Sequence, residues 1–237
     1  MAMGQSTIGG CVGSKGQRNG EFFGKLSASA LADWSAMEFP HSYGANITLF
    51  AEKEAAQGVF VVLEGEVRLS INSSDGKRLS LRIARRGDIL GLSSALSGNG
   101  YEMTAETLYP AKVAHVERRQ FMAFLSRHPE VYLAVTEELS RQMARACDQL
   151  RTVGLSSSAP EKLARLLLDW SEVDQTNASG CRVRFSLTHE EIGEFIGASR
   201  ETVTRTLSNF KHRRLVSFRG SMLEIPNRTA LASYANA

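Results

Sequence analysis

Arg200, Glu201, Thr204 and Arg205 recur at offsets of one, four and five, the spacing that groups side chains on one side of a helix. A guanidinium can pair bidentately with guanine O6 and N7, and a carboxylate accepts from cytosine N4. Six basic residues (Arg200, Arg205, Lys211, Arg213, Arg214 and Arg219) stand between Ser199 and Arg219 against one acid, Glu201. That local excess of positive charge suits a polyanion, and a solvated basic face is the plainer alternative.

Those residues need a scaffold, and the flanking sequence supplies one. Thr188-His189-Glu190-Glu191 is a capping box, so a helix starts there, and Ile192 and Ile196 give it an apolar stripe. Gly193 sits mid-helix, where a helix former would be better by about 1 kcal/mol. Close approach of another segment explains it, and Gly197 supplies the left-handed residue of a tight turn. Ser199 then caps a second helix running to about Phe210, with Val203, Leu207 and Phe210 facing a core. This is a helix-turn-helix plan. Leu215–Phe218 and Met222–Ile225 flank Arg219-Gly220-Ser221 and read as a β-hairpin with a basic tip, or as a plain hairpin without a nucleic-acid contact.

Upstream, an amphipathic helix from Glu161 to Trp170 precedes a Gly/Asn/Ser loop to Gly180, and Gly154 to Pro160 reads as a hinge. Val131, Val135, Leu139, Met143, Ala146 and Leu150 recur three or four apart along a long helix flanked by Glu137, Glu138, Arg141 and Arg145. That pattern matches a coiled-coil seam, the alternative being a helix lying on its own sheet. Residues 45–116 read as short strands: Val67–Ile71, Leu79–Ile83 and Ala111–Val116 alternate with period two, and Gly-, Asn- and Asp-rich turns separate them. Residues 1–20 read as a flexible tail.

The whole chain has 237 residues, 43% apolar and 22% charged, with 28 basic against 25 acidic side chains, an ordinary globular composition. Its longest apolar run, Val59 to Leu63, is far short of the roughly 20 residues a membrane span needs. Cys11, Cys147 and Cys181 form no disulfide framework and no closely spaced metal set, so a reducing cytoplasm is the expected location.

The segment from Glu191-Ile192-Gly193 through Gly197-Ala198-Ser199-Arg200-Glu201-Thr202-Val203-Thr204-Arg205 resembles the helix-turn-helix of the Crp/Fnr family of bacterial regulators, closest to its cyclic-AMP receptor branch. The resemblance covers about residues 22–228, and Gly65, Gly87-Asp88 and Gly91 fall at the family's glycine turns. It implies an α+β fold with an N-terminal antiparallel β-roll of the cyclic-nucleotide-binding jelly-roll type, a long dimerisation helix and a C-terminal winged helix-turn-helix. The expected domains are a tail (1–20), a sensor roll (21–116), helices (117–154) and a DNA-binding domain (155–237). The implied partners are double-stranded DNA, a second copy of the chain, RNA polymerase if the protein activates, and a small-molecule effector; no membrane is implied. Arg200, Glu201 and Arg205 match the positions that read a TGTGA half-site, and Thr204 departs from the Gly frequent there. Thr188 and His189 match backbone-touching positions. Ser199, Lys211, Arg213, Arg214 and Arg219 complete the expected phosphate contacts.

The effector of the roll is left open. Where the receptor branch holds phosphate with Gly-Glu and Arg-Ser pairs, this chain has Gly91-Leu92 and Tyr101-Glu102, and the pair meeting adenine becomes Leu150 and Arg151. The phosphate-binding Arg is gone and Glu102 repels an anion, which argues against cyclic AMP. An iron–sulfur cluster needs about four thiolates, which the chain lacks, and haem has only His41 or His115 as a candidate ligand. Two rival readings remain: a nucleotide- or metabolite-binding regulator without DNA, and a cupin-like metal enzyme built around His115 and Glu117. The chain shows no partner histidine for the latter, no phosphate loop and no nucleophile elbow, so no metal or catalytic residue is expected.

Overall fold

The computed structural model describes residues 20–155, 158–172, 181–184, 187–220 and 222–235. The tail expected at 1–20, with Cys11, and the loop expected up to Gly180 lie almost wholly outside the described residues. After a 3-10 turn at Phe23–Lys25 comes α1 (Ala28–Met37), which the sequence reading had assigned to the roll. Ser27 caps it by accepting from the Ala30 N–H, and Ala30, Trp34 and Met37 form its buried face.

The roll follows: β1 (Phe39–Tyr43), β2 (Thr48–Phe50), β3 (Gly58–Glu64), β4 (Val67–Asn72), β5 (Arg78–Ala84), β6 (Ile89–Leu90), α2 (Leu92–Ser97), β7 (Thr104–Thr107) and β8 (Ala111–Glu117). Two four-stranded antiparallel sheets, ordered β1-β8-β3-β6 and β2-β7-β4-β5, enclose Phe50, Phe60, Val62, Leu69, Leu90 and Val113. The unbroken apolar run of β3 has a simple cause: Phe60 and Val62 face that interior, while Val59 and Val61 face a second core on the sheet's other side. Trp34 centres the second core, with Phe23 and Phe124 edge-on to it at centroid distances of 5.3 and 5.4 Å.

Helix α3 (Arg118–Arg127) leads to α4 (Val131–Gly154), the long helix. Helix α5 (Ala159–Glu172) begins inside the expected hinge. Ser158 accepts from the Glu161 N–H, which starts the helix, and Pro160 is tolerated in a first turn whose N–H groups lack helical partners. The rest of the C-terminal domain, the head, comprises β9 (Cys181–Arg184), α6 (His189–Ile196), α7 (Arg200–His212), β10 (Ser217–Arg219), β11 (Met222–Ile225) and α8 (Arg228–Ala235). Its sheet runs β10-β11-β9, so the expected two-stranded hairpin carries a third strand. Leu163, Leu167, Phe195, Val203, Phe210 and Leu223 form its core.

The head docks on the outer face of β4 and β5. Arg68, on the polar side of β4, is only 4% exposed. Its Nη2 donates to Glu106 at 2.5 Å, and its Nη1 reaches Glu191 and Glu194 of α6, each at 3.3 Å. Ser80 donates to Glu194 at 3.1 Å, and the Gln149 side-chain amide bridges the carbonyls of Ser80 and Phe195. An alternating strand with a polar outer row is legible from sequence; its burial under the head is not.

Candidate nucleic-acid interface and roll cavity

Thr188 and Glu191 form the reciprocal capping box of α6: the Thr188 hydroxyl accepts from the Glu191 N–H, and Glu191 accepts from the Thr188 N–H at 2.8 Å. Gly197 adopts φ 62° at the end of α6. A Cβ on Gly193 would lie 2.4 Å from the Ala198 carbonyl oxygen, so the close neighbour is the turn itself. Ser199 caps α7 by accepting from the Thr202 N–H. Val203, Leu207 and Phe210 anchor α7 in the head core, which leaves its other side outward.

That outward side is a shallow concavity lined by Arg200, Glu201, Thr204, Arg205 and Ser208. The first four are the predicted base-reading set, all exposed; Ser208 lies one turn past Thr204, where the sequence reading stopped. The Glu201 carboxyl is held below the usual carboxylate range by its own backbone N–H and the Ser199 hydroxyl, so it stays ionised as an acceptor. Thr204 donates its only hydroxyl hydrogen to the Arg200 carbonyl at 2.8 Å. His189 Nδ1, 2.7 Å from the same oxygen, must therefore be the donor, and Thr204 has no hydrogen left to donate, only its methyl and one acceptor lone pair.

The expected phosphate residues spread around this surface. Thr188 and Ser199 have committed their hydroxyls to caps. Lys211 lies in the last turn of α7, and Arg214 adopts φ 57° in the turn that follows. Arg213 leans on α8, bonded to the Tyr234 hydroxyl, and Arg219 at the hairpin tip pairs with Glu224 at 3.3 Å.

The expected dimer stripe divides in two. Val131 and Val135 are 1% and 2% exposed inside the chain's own Trp34 core, and Leu139 packs against that core. Val131 and Val135 are unavailable to a second copy, because the start of α4 is also a lid on the roll. The exposed apolar row lies further round, through Leu133, Met143 and Leu150, each about two-thirds exposed, with half-buried Cys147 between the last two. Ala146 is exposed beside it.

A cavity of about 450 Å³ lies between the roll and α4. Gly91, Leu92, Tyr101 and Glu102 line it, as the sequence reading placed them, but Leu150 and Arg151 do not. The α4 lining comes earlier, from Leu139 to Gln149; by Leu150 the helix has passed the mouth, Leu150 facing solvent and Arg151 pairing with Asp148. Tyr101 stacks on Phe50 at 4.0 Å and donates to the Gly58 carbonyl at 2.9 Å, and burial pushes its phenol pKa up. His115 is half-buried against Phe60, with its pKa lowered by burial. Among the described residues no group of three or more His, Cys, Asp or Glu is placed to hold a metal, and no helix is long and apolar enough to cross a membrane.

A roll enclosing a cavity, a long helix across its mouth and a winged helix-turn-helix head together define a two-part DNA-binding regulator. Comparisons with known proteins give the same division. Residues 40–128 match the cyclic nucleotide-binding domain, and residues 161–234 the Crp-like helix-turn-helix domain. The chain is 30% identical over 175 residues to the transcriptional activatory protein AadR of Rhodopseudomonas palustris, covering 73% of this chain and 72% of that one. It is 27% identical over 219 residues to the CRP-like cAMP-activated global transcriptional regulator of Mycobacterium tuberculosis, covering 92% and 97%. The structure of FixK2 from Bradyrhizobium japonicum superposes with a TM-score of 0.76 at 25% identity, covering 84% and 98%. The chain belongs to the Crp/Fnr family of transcription regulators.

Proposed function

We propose that this regulator works in the cytoplasm as a homodimer that reads an inverted repeat of TGTGA-like half-sites. The observation that carries the reading is the outward side of α7, where Arg200, Glu201, Thr204 and Arg205 converge on one concavity near the helix N-terminus. An α-helix enters the major groove with such residues leading. In this reading Arg200 and Arg205 pair with guanines, Glu201 accepts from a cytosine, and Thr204 meets a thymine methyl. Thr188, His189 and Ser199 lie toward the DNA backbone, and Lys211, Arg213, Arg214 and Arg219 contact phosphates and set the salt dependence. The exposed row Leu133, Met143 and Leu150 supports pairing along α4, which spaces the two α7 ends about 34–36 Å apart, one DNA turn. RNA polymerase is then the further partner if the bound dimer activates.

The test is a salt-controlled anisotropy titration of nucleotide-free protein against a duplex with two inverted TGTGA half-sites and a scrambled duplex. Binding to the palindrome with far weaker binding to the scrambled duplex is expected. Arg205→Ala should lose about 1–3 kcal/mol of that preference. An Arg205→Ala protein that binds both duplexes as the parent does removes the base-reading assignment, and sedimentation as a monomer removes the paired geometry.

A further inference from the structure

Most polar side chains in the walls of the roll cavity are already hydrogen-bonded, the exposed Ser93 and Arg145 having no partner among the described residues. The Tyr101 hydroxyl is shared between the Gly58 carbonyl and the N–H groups of Gln57 and Gly58. Arg82 is paired with Asp88 at 2.8 Å. The amide of Gln142 donates to the Ile89 carbonyl and Glu138, and that of Gln149 to the Ser80 and Phe195 carbonyls. Glu102 accepts from the Ser94 hydroxyl at 2.6 Å. Of the two arginines in the lining, Arg145 has no ion-pair or hydrogen-bond partner among the described residues, and it stands at the rim on α4. The remaining wall is largely aliphatic and aromatic, including Phe50, Leu69, Leu90, Met103 and Leu139.

This lining selects a ligand class. A sugar or a phosphate leaves water only if the site replaces its hydrogen bonds, and most of the groups that would do so are spent. An anionic group beside Glu102 also meets a like charge. An apolar body loses nothing by entering and gains roughly 25 cal/mol for each Å² withdrawn from water. One carboxylate left at the rim forms a charge-assisted pair with a free guanidinium. We propose that the roll cavity binds an apolar monocarboxylic acid, its hydrocarbon or aromatic body among Phe50, Leu69, Leu90 and Met103 and its carboxylate on Arg145. The inference rests on the roll being the sensing half of the regulator and is independent of how α7 reads DNA. It also gives the acid a direct grip on α4, which contributes both Arg145 and the apolar Leu139 and Met143 to the site.

Calorimetric titration of the full chain, without DNA, tests it. The probes are octanoate, phenylacetate and 2-naphthoate, the matching amides, and cyclic AMP. At least one acid should bind with one site per chain, its amide about tenfold or more weakly. Arg145→Gln should weaken the acid by about tenfold and leave the amide unchanged, since the exposed side chain carries no packing. Leu81→Trp, which fills the cavity from a half-buried position, should abolish both; if that variant does not fold, the acid–amide difference and Arg145→Gln still decide. The proposal is overturned if no acid binds, if cyclic AMP binds more tightly than every acid, or if Arg145→Gln binds the acid like the parent. None of these readouts involves DNA, so failure of the α7 assignment cannot produce them.

Discussion

Replacing Arg68 with Met strands three carboxylates around one buried site. Glu106, Glu191 and Glu194 face its guanidinium, and Arg78 stands 3.7 Å from Glu106. Breaking a buried ion pair by deleting one partner costs about 3–5 kcal/mol, because the charge left behind is uncompensated. The lower end applies here, since the three glutamates keep 14–25% of their side-chain surface in water. A loss of about 3 kcal/mol at the roll–head junction lowers the first melting transition by roughly 6–12 °C at this chain length. Trp34 in the roll core and Trp170 in α5 report the two halves, so fluorescence of Trp170→Phe protein alongside the parent assigns the transition. Arg68→Met should let the head unfold ahead of the roll. The companion variant Arg68→Met/Glu191→Gln/Glu194→Gln removes two of the three stranded charges and leaves Glu106 to Arg78, and Gln still serves a capping box. It should recover at least half of the loss. If Arg68→Met melts with the parent, or the companion variant melts no higher than Arg68→Met, the junction is not held by this network.

Thr204→Val keeps a methyl but breaks the bond from His189, so DNA binding should weaken about equally on all sequences. Thr204→Ser keeps the bond and loses the methyl, so preference at one base pair should fall about fourfold, the worth of one buried methyl at about 0.8 kcal/mol; anisotropy on single-base variants of the half-site separates the two. Gly193→Ala drives a Cβ to within 2.4 Å of the Ala198 carbonyl oxygen, so the α6–α7 turn must open; the midpoint of urea unfolding should drop and palindrome binding should fall with it. His128 stands 3.0 Å from Asp33 and 3.3 Å from Glu130, and the Asp33 hydrogen bond raises its pKa while lowering that of Asp33. The raised histidine stabilises fully below the ordinary histidine value of 6.5 and loses that contribution as pH rises through the higher folded value. The lowered aspartate stabilises above the ordinary aspartate value of 3.8 and fades as pH falls through the folded one. Stability from this clip of α1 to α3 should therefore peak between those two ordinary values, and His128→Asn should flatten the decline in melting temperature from pH 6 to pH 8.

The head was legible because its signals are local. The Thr188–Glu191 box, the Gly193/Gly197 pair and the Val203/Leu207/Phe210 spacing each lie within a few turns of chain, and local hydrogen bonds and helix period suffice to place them. Two missed helices carried the same kind of signal: Ser27 ahead of Ala30, Trp34 and Met37, and Asn227, whose side chain accepts from the Ala230 N–H to start α8. What sequence could not give was the allocation of faces between partners far apart in the chain. Periodicity detects that Val131 to Leu150 is apolar on one side, but whether the roll core or a second copy covers each turn depends on how the helix crosses the roll. The same blindness hid Arg68, whose burial is created by a helix more than a hundred residues away, and Arg145, which has no partner among the described residues.

Helix α4 has an additional property that follows from its divided circumference. Its first turns fit the Trp34 core, its middle turns wall the cavity, and Leu133 and Leu150 stand exposed outside both. Each residue along it advances the direction of its side chain by about 100°. One residue inserted near Ser140 would therefore swing every downstream side chain out of its compartment at once, carrying Gln149 off the Phe195 carbonyl and Arg145 off the rim. Seven residues, close to two turns, would restore the angles while moving the head about 10 Å along the axis and off Arg68. The segment from Val131 to Gly154 thus behaves as a ruler of fixed length and fixed phase.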